Sequence, residues 1–221
     1  MRGLVLICGQ DAPELPEADD VRTERLPARP GKAAVDPLLT GEEAAHLLVA
    51  GTDADLAAVL LRLLRKEKLG TTKVGYIPAE PHSAVARLWG LPTDPIRALA
   101  LAWQGEVDPV PLIRDDSGGV LAGRGVIGPV RGVGYCDDQR ALRGAARRIE
   151  VEPDTEAGLV VRITRGTLLR RRSTFAGRAF ELGSLPTTPI LDGVPFSRAV
   201  NRWTWYRHTE DLRLIRAGAE R

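Results

Sequence analysis

Hydrophobic residues at the start of the chain are concentrated in three short runs. The runs at 3–8 (GLVLIC), 45–50 (AHLLVA) and 73–78 (KVGYIP) have the length and composition of buried strands. Residues 9–44, between the first two runs, are rich in proline and aspartate and show little periodicity. They predict a loop-dominated segment.

A helical pattern follows the second run. Leucine and valine recur at helical spacing from Leu56 to Leu64, and Gly70 ends the predicted helix. Asp53 or Asp55 is expected to cap its start, because a carboxylate there accepts N–H groups that the first turn leaves unpaired. The sequence thus predicts a strand, a turn and an amphipathic helix.

Two further helices are predicted after the third run. Residues 83–90 favour a short helix that ends at a left-handed glycine. The next helix is capped by Asp94, begins at Pro95, where the missing N–H costs nothing, and ends at Gly105. Its predicted buried stripe consists of Ile96, Leu99 and Trp103. Strands alternating with helices indicate a parallel-type sheet with helical crossovers.

The pattern changes near residue 108. From there on, short β-rich segments are separated by turn residues, and RALRGAARR at 140–148 is the segment that favours a helix. We therefore predict two domains. Residues 1–107 form an α/β domain with a parallel-type sheet and helices, and residues 108–221 form an antiparallel β-sandwich domain.

Composition and charge refine this picture. The chain has 221 residues, of which 43% are hydrophobic, enough for a substantial core. The formal net charge of +2 conceals an asymmetry. Residues 140–221 contain 16 Lys and Arg against 9 Asp and Glu, whereas residues 1–139 contain 15 against 20. The basic C-terminal part could face phosphates or an anionic membrane surface, or could be an ordinary solvated exterior.

The sequence also favours a cytoplasmic location. No stretch approaches the ~20 apolar residues of a transmembrane helix, and the opening turns acidic too early for a secretory signal. Cys8 and Cys136 are far apart and lack a CxxC or histidine partner, so buried free thiols are expected rather than a disulfide or a zinc site.

The order of these segments carries a family resemblance. A strand followed by GTDADLAAV, then KVGYIPAEPHSAVARLWGLP, a capped helix, VDPVPLIR, TTPILDGVP and a final LRLI resembles the catalytic domain of diacylglycerol kinases and their sphingosine kinase relatives. The resemblance covers roughly residues 45–221. It implies a lipid kinase-like fold with a cleft between two domains. It also implies an enzyme that uses ATP and Mg²⁺ to phosphorylate a lipid hydroxyl.

The family's nucleotide loop, GGDGTLNEV, corresponds to residues 51–59. The resemblance makes Gly51, Thr52 and Asp53 candidates for nucleotide binding. Such a loop needs glycines, because its backbone N–H groups must approach a triphosphate at a helix start. Thr52 and Ala54 replace two of them, and Asp55 places a negative charge where the anion should lie.

The two remaining family motifs are also altered. The counterpart of GTxNDFA begins at Glu80 and makes Glu80, His82 and Ser83 candidate nucleotide contacts. The family's DGE becomes Asp192, Gly193 and Val194 here, which leaves Asp192 as the candidate catalytic carboxylate because valine cannot accept a proton.

Two functions follow from this combination. The first is a diacylglycerol kinase-like phosphotransferase with eroded motifs, using ATP and Mg²⁺. The second is a non-catalytic relative, without cofactor, that binds a ligand, lipid or partner protein through the cleft. The resemblance also leaves open a cleft remodelled for another nucleotide or a dinucleotide, as in the related NAD kinases.

Other features leave open which partners the chain binds. The arginine run Arg170, Arg171 and Arg172 could contact a lipid or anionic membrane peripherally, although such runs are usually exposed strand ends. Packing on a core explains RWTWYRH at 202–208 better than nucleic-acid binding. Asp108, Asp115 and Asp116 suit caps and turns better than a metal site.

Overall fold

In a computed structural model, residues 3–16, 20–166 and 170–218 are described. The chain divides into two compact units, residues 1–110 with 210–221, and residues 111–209. The sequence-based division assigned everything after residue 107 to the second domain. The structure instead places the last segment of the chain in the first unit.

The first unit contains a four-stranded parallel sheet, which confirms the predicted α/β architecture. Its spatial order is β2-β1-β3-β4, and every neighbouring pair runs parallel. The strands are β1 (Gly3–Cys8), β2 (Val21–Leu26), β3 (His46–Gly51) and β4 (Lys73–Pro78). All six residues of β1 and the last five of β3 are buried, as expected for inner strands of a parallel sheet.

Strand β2 corrects the prediction of a loop-dominated segment over residues 9–44. Its sequence VRTERL has no apolar alternation because β2 is an edge strand, and none of its residues is fully buried. Arg22 forms ion pairs with Glu24 and Glu43, each at 2.9 Å. After β2 come a helical turn, α1 (Lys32–Val35), and two 3₁₀ turns, Asp36–Thr40 and Glu42–Ala45.

Three longer helices follow near the predicted places, although the first ends at Arg65 and not at Gly70. They are α2 (Asp53–Arg65), α3 (Ala84–Trp89) and α4 (Pro95–Gln104). Gly90 ends α3 in the left-handed conformation with φ of 65°. The Asp94 side chain caps α4 by accepting the N–H of Arg97 at 2.9 Å.

The predicted stripe of α4 is confirmed in part, since Leu99 and Trp103 pack, partly buried, against the core. The fully buried residues of the helix are different ones. Ala98 and Ala102 are 1% and 2% exposed, whereas Ile96 is 75% exposed. The reason lies in β4, where a Cβ atom on Gly75 would stand only 2.6 Å from the Cβ of Ala102. Helix and sheet approach so closely that only small residues fit between them, and the larger apolar residues lie to the side.

The second unit consists of two six-stranded sheets, and all strand pairs are antiparallel. After β5 (Glu106–Val107), its strands are β6 (Ile113–Asp115), β7 (Val120–Leu121), β8 (Gly125–Ile127), β9 (Val130–Cys136), β10 (Gln139–Ala146), β11 (Arg148–Asp154), β12 (Gly158–Arg165), β13 (Arg171–Gly177), β14 (Ala179–Thr187), β15 (Ile190–Leu191), β16 (Val194–Pro195) and β17 (Val200–Arg207). The first sheet has the order β10-β9-β14-β17-β6-β7 and the second β13-β12-β11-β8-β15-β16. Side chains from both sheets share one hydrophobic cluster, which confirms the predicted antiparallel β architecture.

The predicted helix at 140–148 is wrong, because this segment forms β10 and pairs with β9. The register shifts between Arg140 and Leu142. Because of this bulge, Ala141 and Leu142 are both buried although they are adjacent. The bulge disturbs the alternation of a strand, and the remaining pattern resembles that of a helix.

The end of the chain completes the first unit. Strand β18 (Ile215–Arg216) pairs antiparallel with β5. Just before it, the N–H of Val74 in β4 donates to the carbonyl oxygen of Arg213 at 2.9 Å. Within the described residues, no helix is long and apolar enough to cross a membrane.

Candidate functional site

The turn between β3 and α2 lies at the carboxyl end of an inner parallel strand, where α/β sheets commonly bind ligands. Thr52 is the cap of α2, and its hydroxyl oxygen accepts the N–H of Asp55 at 3.2 Å. Asp55 reciprocates by accepting the N–H of Thr52 at 2.9 Å. The expectation that Asp53 or Asp55 is the cap is thus corrected: Thr52 caps the helix, and Asp55 completes a capping box.

The carboxylate of Asp55 is held by the turn itself. Its Oδ1 accepts the backbone N–H of Arg29 at 2.5 Å, and its Oδ2 also accepts the Thr52 hydroxyl at 2.8 Å. Asp55 is only 2% exposed. A Cβ atom built on Gly51 would lie 2.8 Å from Oδ2, so this carboxylate fills the space beside the glycine.

The Asp55 carboxylate places a negative charge at the start of α2. Backbone N–H groups at a helix start form an anion site, and here the anion is the side chain of Asp55. Cys8 experiences the same charge, since burial and then the nearby Asp55 raise the pKa of its thiol to about 12. An incoming phosphate would have to displace Asp55 or lie against a like charge.

Asp53 joins the starts of two helices. Its Oδ1 accepts the hydroxyls of Tyr76 at 2.9 Å and Ser83 at 2.5 Å. Its Oδ2 accepts the N–H of Ala84 at 2.7 Å and, at a longer 3.4 Å, that of Val85. The carboxylate is buried and acts as a second cap of α3.

The three candidate residues from the second motif differ in burial. Ser83 is buried, donates to Asp53 and accepts the N–H of Ala86 at 2.9 Å, so it caps α3. Glu80 and His82 are exposed. The structure therefore brings Gly51, Thr52, Asp53 and Ser83 together and leaves the side chains of Glu80 and His82 on the surface.

Asp192 lies in the second unit, in the turn after β15. Its Oδ2 accepts the N–H of Ala122 at 2.8 Å, and its Oδ1 accepts those of Gly123 at 2.8 Å and Arg124 at 2.9 Å. Asp192 is buried and has a φ of 48°. Its carboxylate therefore fixes the segment between β7 and β8.

The other aspartates hold local structure. Oδ1 of Asp115 accepts the N–H groups of Ser117 at 2.9 Å and Gly119 at 3.0 Å, and Asp108 pairs with Arg216 at 2.7 Å. Across residues 3–16, 20–166 and 170–218, no three His, Cys, Asp or Glu side chains are placed to hold a metal ion. At the β3–α2 turn, the Asp55 carboxylate already accepts the backbone N–H groups of Thr52 and Arg29.

Two residues that bind these carboxylates were not predicted from the sequence. Arg29 contributes only its main chain, and main-chain donors leave no mark in a sequence. Tyr76 belongs to the apolar run of β4, so its hydroxyl gave no signal. The spacing of Thr52 and Asp55, by contrast, is that of a capping box, with aspartate in place of the usual glutamate, and was legible.

The fold is similar to that of solved lipid kinases. A diacylglycerol kinase from Bacillus anthracis str. Sterne matches with a TM-score of 0.71 at 12% identity, over 97% of this chain and 97% of that chain. A putative diacylglycerol kinase from the same strain matches with a TM-score of 0.71 at 14% identity, over 100% and 99%. An NAD kinase from Archaeoglobus fulgidus in complex with ATP matches with a TM-score of 0.50 at 11% identity, over 96% and 93%.

These likenesses confirm the diacylglycerol kinase-like fold that the sequence led us to expect. No protein-family model and no curated protein matches the chain. Identities of this size show the fold alone, and one fold carries many functions, so activity must be argued from the site.

Proposed function

We propose that this protein is a non-catalytic relative of the diacylglycerol kinases that binds a ligand or partner without transferring phosphate. The observation that carries the proposal is the position of the Asp55 carboxylate, which accepts the N–H groups of Thr52 and Arg29. The chain has supplied its own anion to the place where the family's loop receives a phosphate.

Electrostatic repulsion from Asp55 disfavours a phosphate at the β3–α2 turn. Two unit charges 4 Å apart repel by about 4 kcal/mol at the effective dielectric constant near a protein surface. That penalty weakens binding by roughly a thousandfold. An N–H group already occupied by Asp55 adds no compensating attraction for a phosphate oxygen.

The alternative is ATP-dependent phosphoryl transfer to a lipid hydroxyl, with Mg²⁺ bridging the phosphates. The kinase-like fold supports it, but it requires Asp192 to accept a proton. Asp192 already holds three backbone N–H groups. Releasing them would leave buried donors unpaired, at a cost of about 1–3 kcal/mol for each.

Calorimetric titration with ATP and Mg²⁺ tests the proposal. We expect no saturable heat for the natural chain up to several millimolar nucleotide. Asp55→Thr, which installs the residue of the family motif, removes the internal anion and is expected to gain binding of inorganic pyrophosphate. Glu106→Gln is the matched control, because it removes one negative charge from an exposed position of the first unit.

Two outcomes would count against the proposal. The first is saturable ATP binding by the natural chain. The second is labelled phosphate from ATP appearing in diacylglycerol vesicles, with transfer abolished in Asp192→Asn. If only Asp55→Thr binds pyrophosphate, the carboxylate is the cause of the exclusion.

A further inference from the structure

The outer face of the sheet β10-β9-β14-β17-β6-β7 carries apolar residues between arginines. Residues paired directly across antiparallel strands point to the same side of a sheet. One row across the four strands β10, β9, β14 and β17 is Arg143, Val133, Gly183 and Arg202. The adjacent row is Arg140, Tyr135, Glu181 and Thr204.

The centre of this face is apolar and open. Val133 is 41% exposed and Tyr135 is 43% exposed, high values for residues in the middle of a sheet. Beside them, a Cβ atom on Gly183 would meet no heavy atom within 4 Å. We call these two rows, together with Arg131 of β9, the arginine-flanked face.

The positive charge of the arginine-flanked face is not compensated locally. Its four arginines, Arg131, Arg140, Arg143 and Arg202, are all exposed. Among the described residues none of them forms an ion pair with a carboxylate. Glu181 is the one acidic residue in the two rows, so the face carries an excess of three positive charges.

The other sheet of the second unit shows the contrast. There Glu150 lies within ion-pair distance of Arg148, Arg172 and Arg124, at 3.1, 3.7 and 3.9 Å. Arg162 likewise pairs with Glu152. These arginines of the other sheet thus have carboxylate partners, and those of the arginine-flanked face do not.

We propose that the arginine-flanked face docks on an anionic phospholipid bilayer. Exposed arginines are attracted to acidic headgroups, while Tyr135 and Val133 lie between them at the level where aromatic and apolar groups enter the interface. A second copy of the chain is disfavoured, since it would bring arginines against arginines. This inference goes beyond the proposed function, because the face lies in the second unit and does not involve the β3–α2 turn.

Flotation with vesicles tests the docking. We expect binding to vesicles containing about one third phosphatidylglycerol and none to pure phosphatidylcholine. Arg143→Gln with Arg202→Gln should weaken binding about 25-fold, or about fivefold for each arginine removed. Raising the salt concentration should weaken binding by the natural chain in the same direction.

The matched control is Lys73→Gln with Arg97→Gln, which removes the same charge from two exposed residues of the first unit. It should change binding less than twofold. Tyr135→Ser should weaken the binding that persists at high salt. Circular dichroism and thermal midpoints verify that each variant is folded.

Several results would overturn the inference. They are no flotation with acidic vesicles, an equal loss in the control, a dimer in solution that Val133→Arg dissociates, or tighter binding to single-stranded RNA than to vesicles. The dimer would identify the face as an interface between copies. The RNA result would identify it as a nucleic-acid surface.

Discussion

The Asp53 carboxylate accepts the backbone N–H of Ala84 at 2.7 Å, so the first residue of α2 caps the first turn of α3. Thirty-one residues separate the two in sequence. A residue that the sequence motif assigns to nucleotide binding therefore has a structural task.

This relationship predicts a stability effect. Asp53→Ala should lower the free energy of unfolding by roughly 3 kcal/mol, because the hydroxyl of Ser83 and the N–H of Ala84 lose their acceptor together. Urea denaturation measures it. Glu80→Ala, at an exposed position, should stay within about 0.5 kcal/mol. Similar losses in the two variants would show that Asp53 is not an anchor.

A parallel prediction applies to Asp192. Asp192→Ala should cost roughly 3 kcal/mol of unfolding free energy, since three N–H groups near β8 lose their acceptor. Asp138→Ala, an exposed aspartate of the same unit, is the control and should be nearly neutral. A stable Asp192→Ala protein would refute the anchoring role.

Lowering the pH should reduce the stability of the first unit, because Asp36 becomes protonated. The hydrogen bond from Arg62, at 2.7 Å, holds the pKa of the Asp36 carboxyl below its ordinary value. Because the folded-state pKa is the lower one, this stabilisation is present above about pH 3.9, the unfolded value, and is lost as the pH falls through the folded pKa. Thermal midpoints from about pH 6 to pH 2.5 should show the natural chain losing its advantage over Asp36→Asn. A constant difference would contradict the linkage.

The thiols should be inert in the folded protein. Burial, assisted by the neighbouring charges of Asp55 and Asp137, raises the pKa of Cys8 to about 12 and that of Cys136 to about 11. Both remain protonated at pH 8, and protonated thiols are poor nucleophiles. A thiol-reactive chromophore should label neither in buffer and both in concentrated urea. Fast labelling of the native protein would place a thiol at the surface.

The parts of the fold that local chemistry determines could be predicted from the sequence. Asp94 and Gly90 define helix ends through their own side chain or backbone preference, and both predictions are confirmed. The errors arose where a distant partner decides. Ala102 is buried because Gly75 faces it across the helix–sheet contact, and β2 is a strand because β1 pairs with it.

In the candidate site, too, local features could be predicted from the sequence and contacts with distant residues could not. The resemblance located the turn at Gly51 and the substitution at Asp55, and the electrostatic conflict could be argued from residue types alone. The contact between the N–H of Arg29 and the Asp55 carboxylate could not be predicted, because it spans 26 residues and uses a main-chain donor. Asp53 likewise needed the position of α3 before its capping role could be recognised.

The return of residues 210–218 to the first unit affects how the protein emerges from the ribosome. Residues 111–209 form a continuous unit that is complete as soon as it has been synthesised. The first unit must wait, since Val74 finds its acceptor on Arg213 only after the second unit has been synthesised. The N-terminal half therefore spends synthesis with one edge of β4 uncovered, although it is made first.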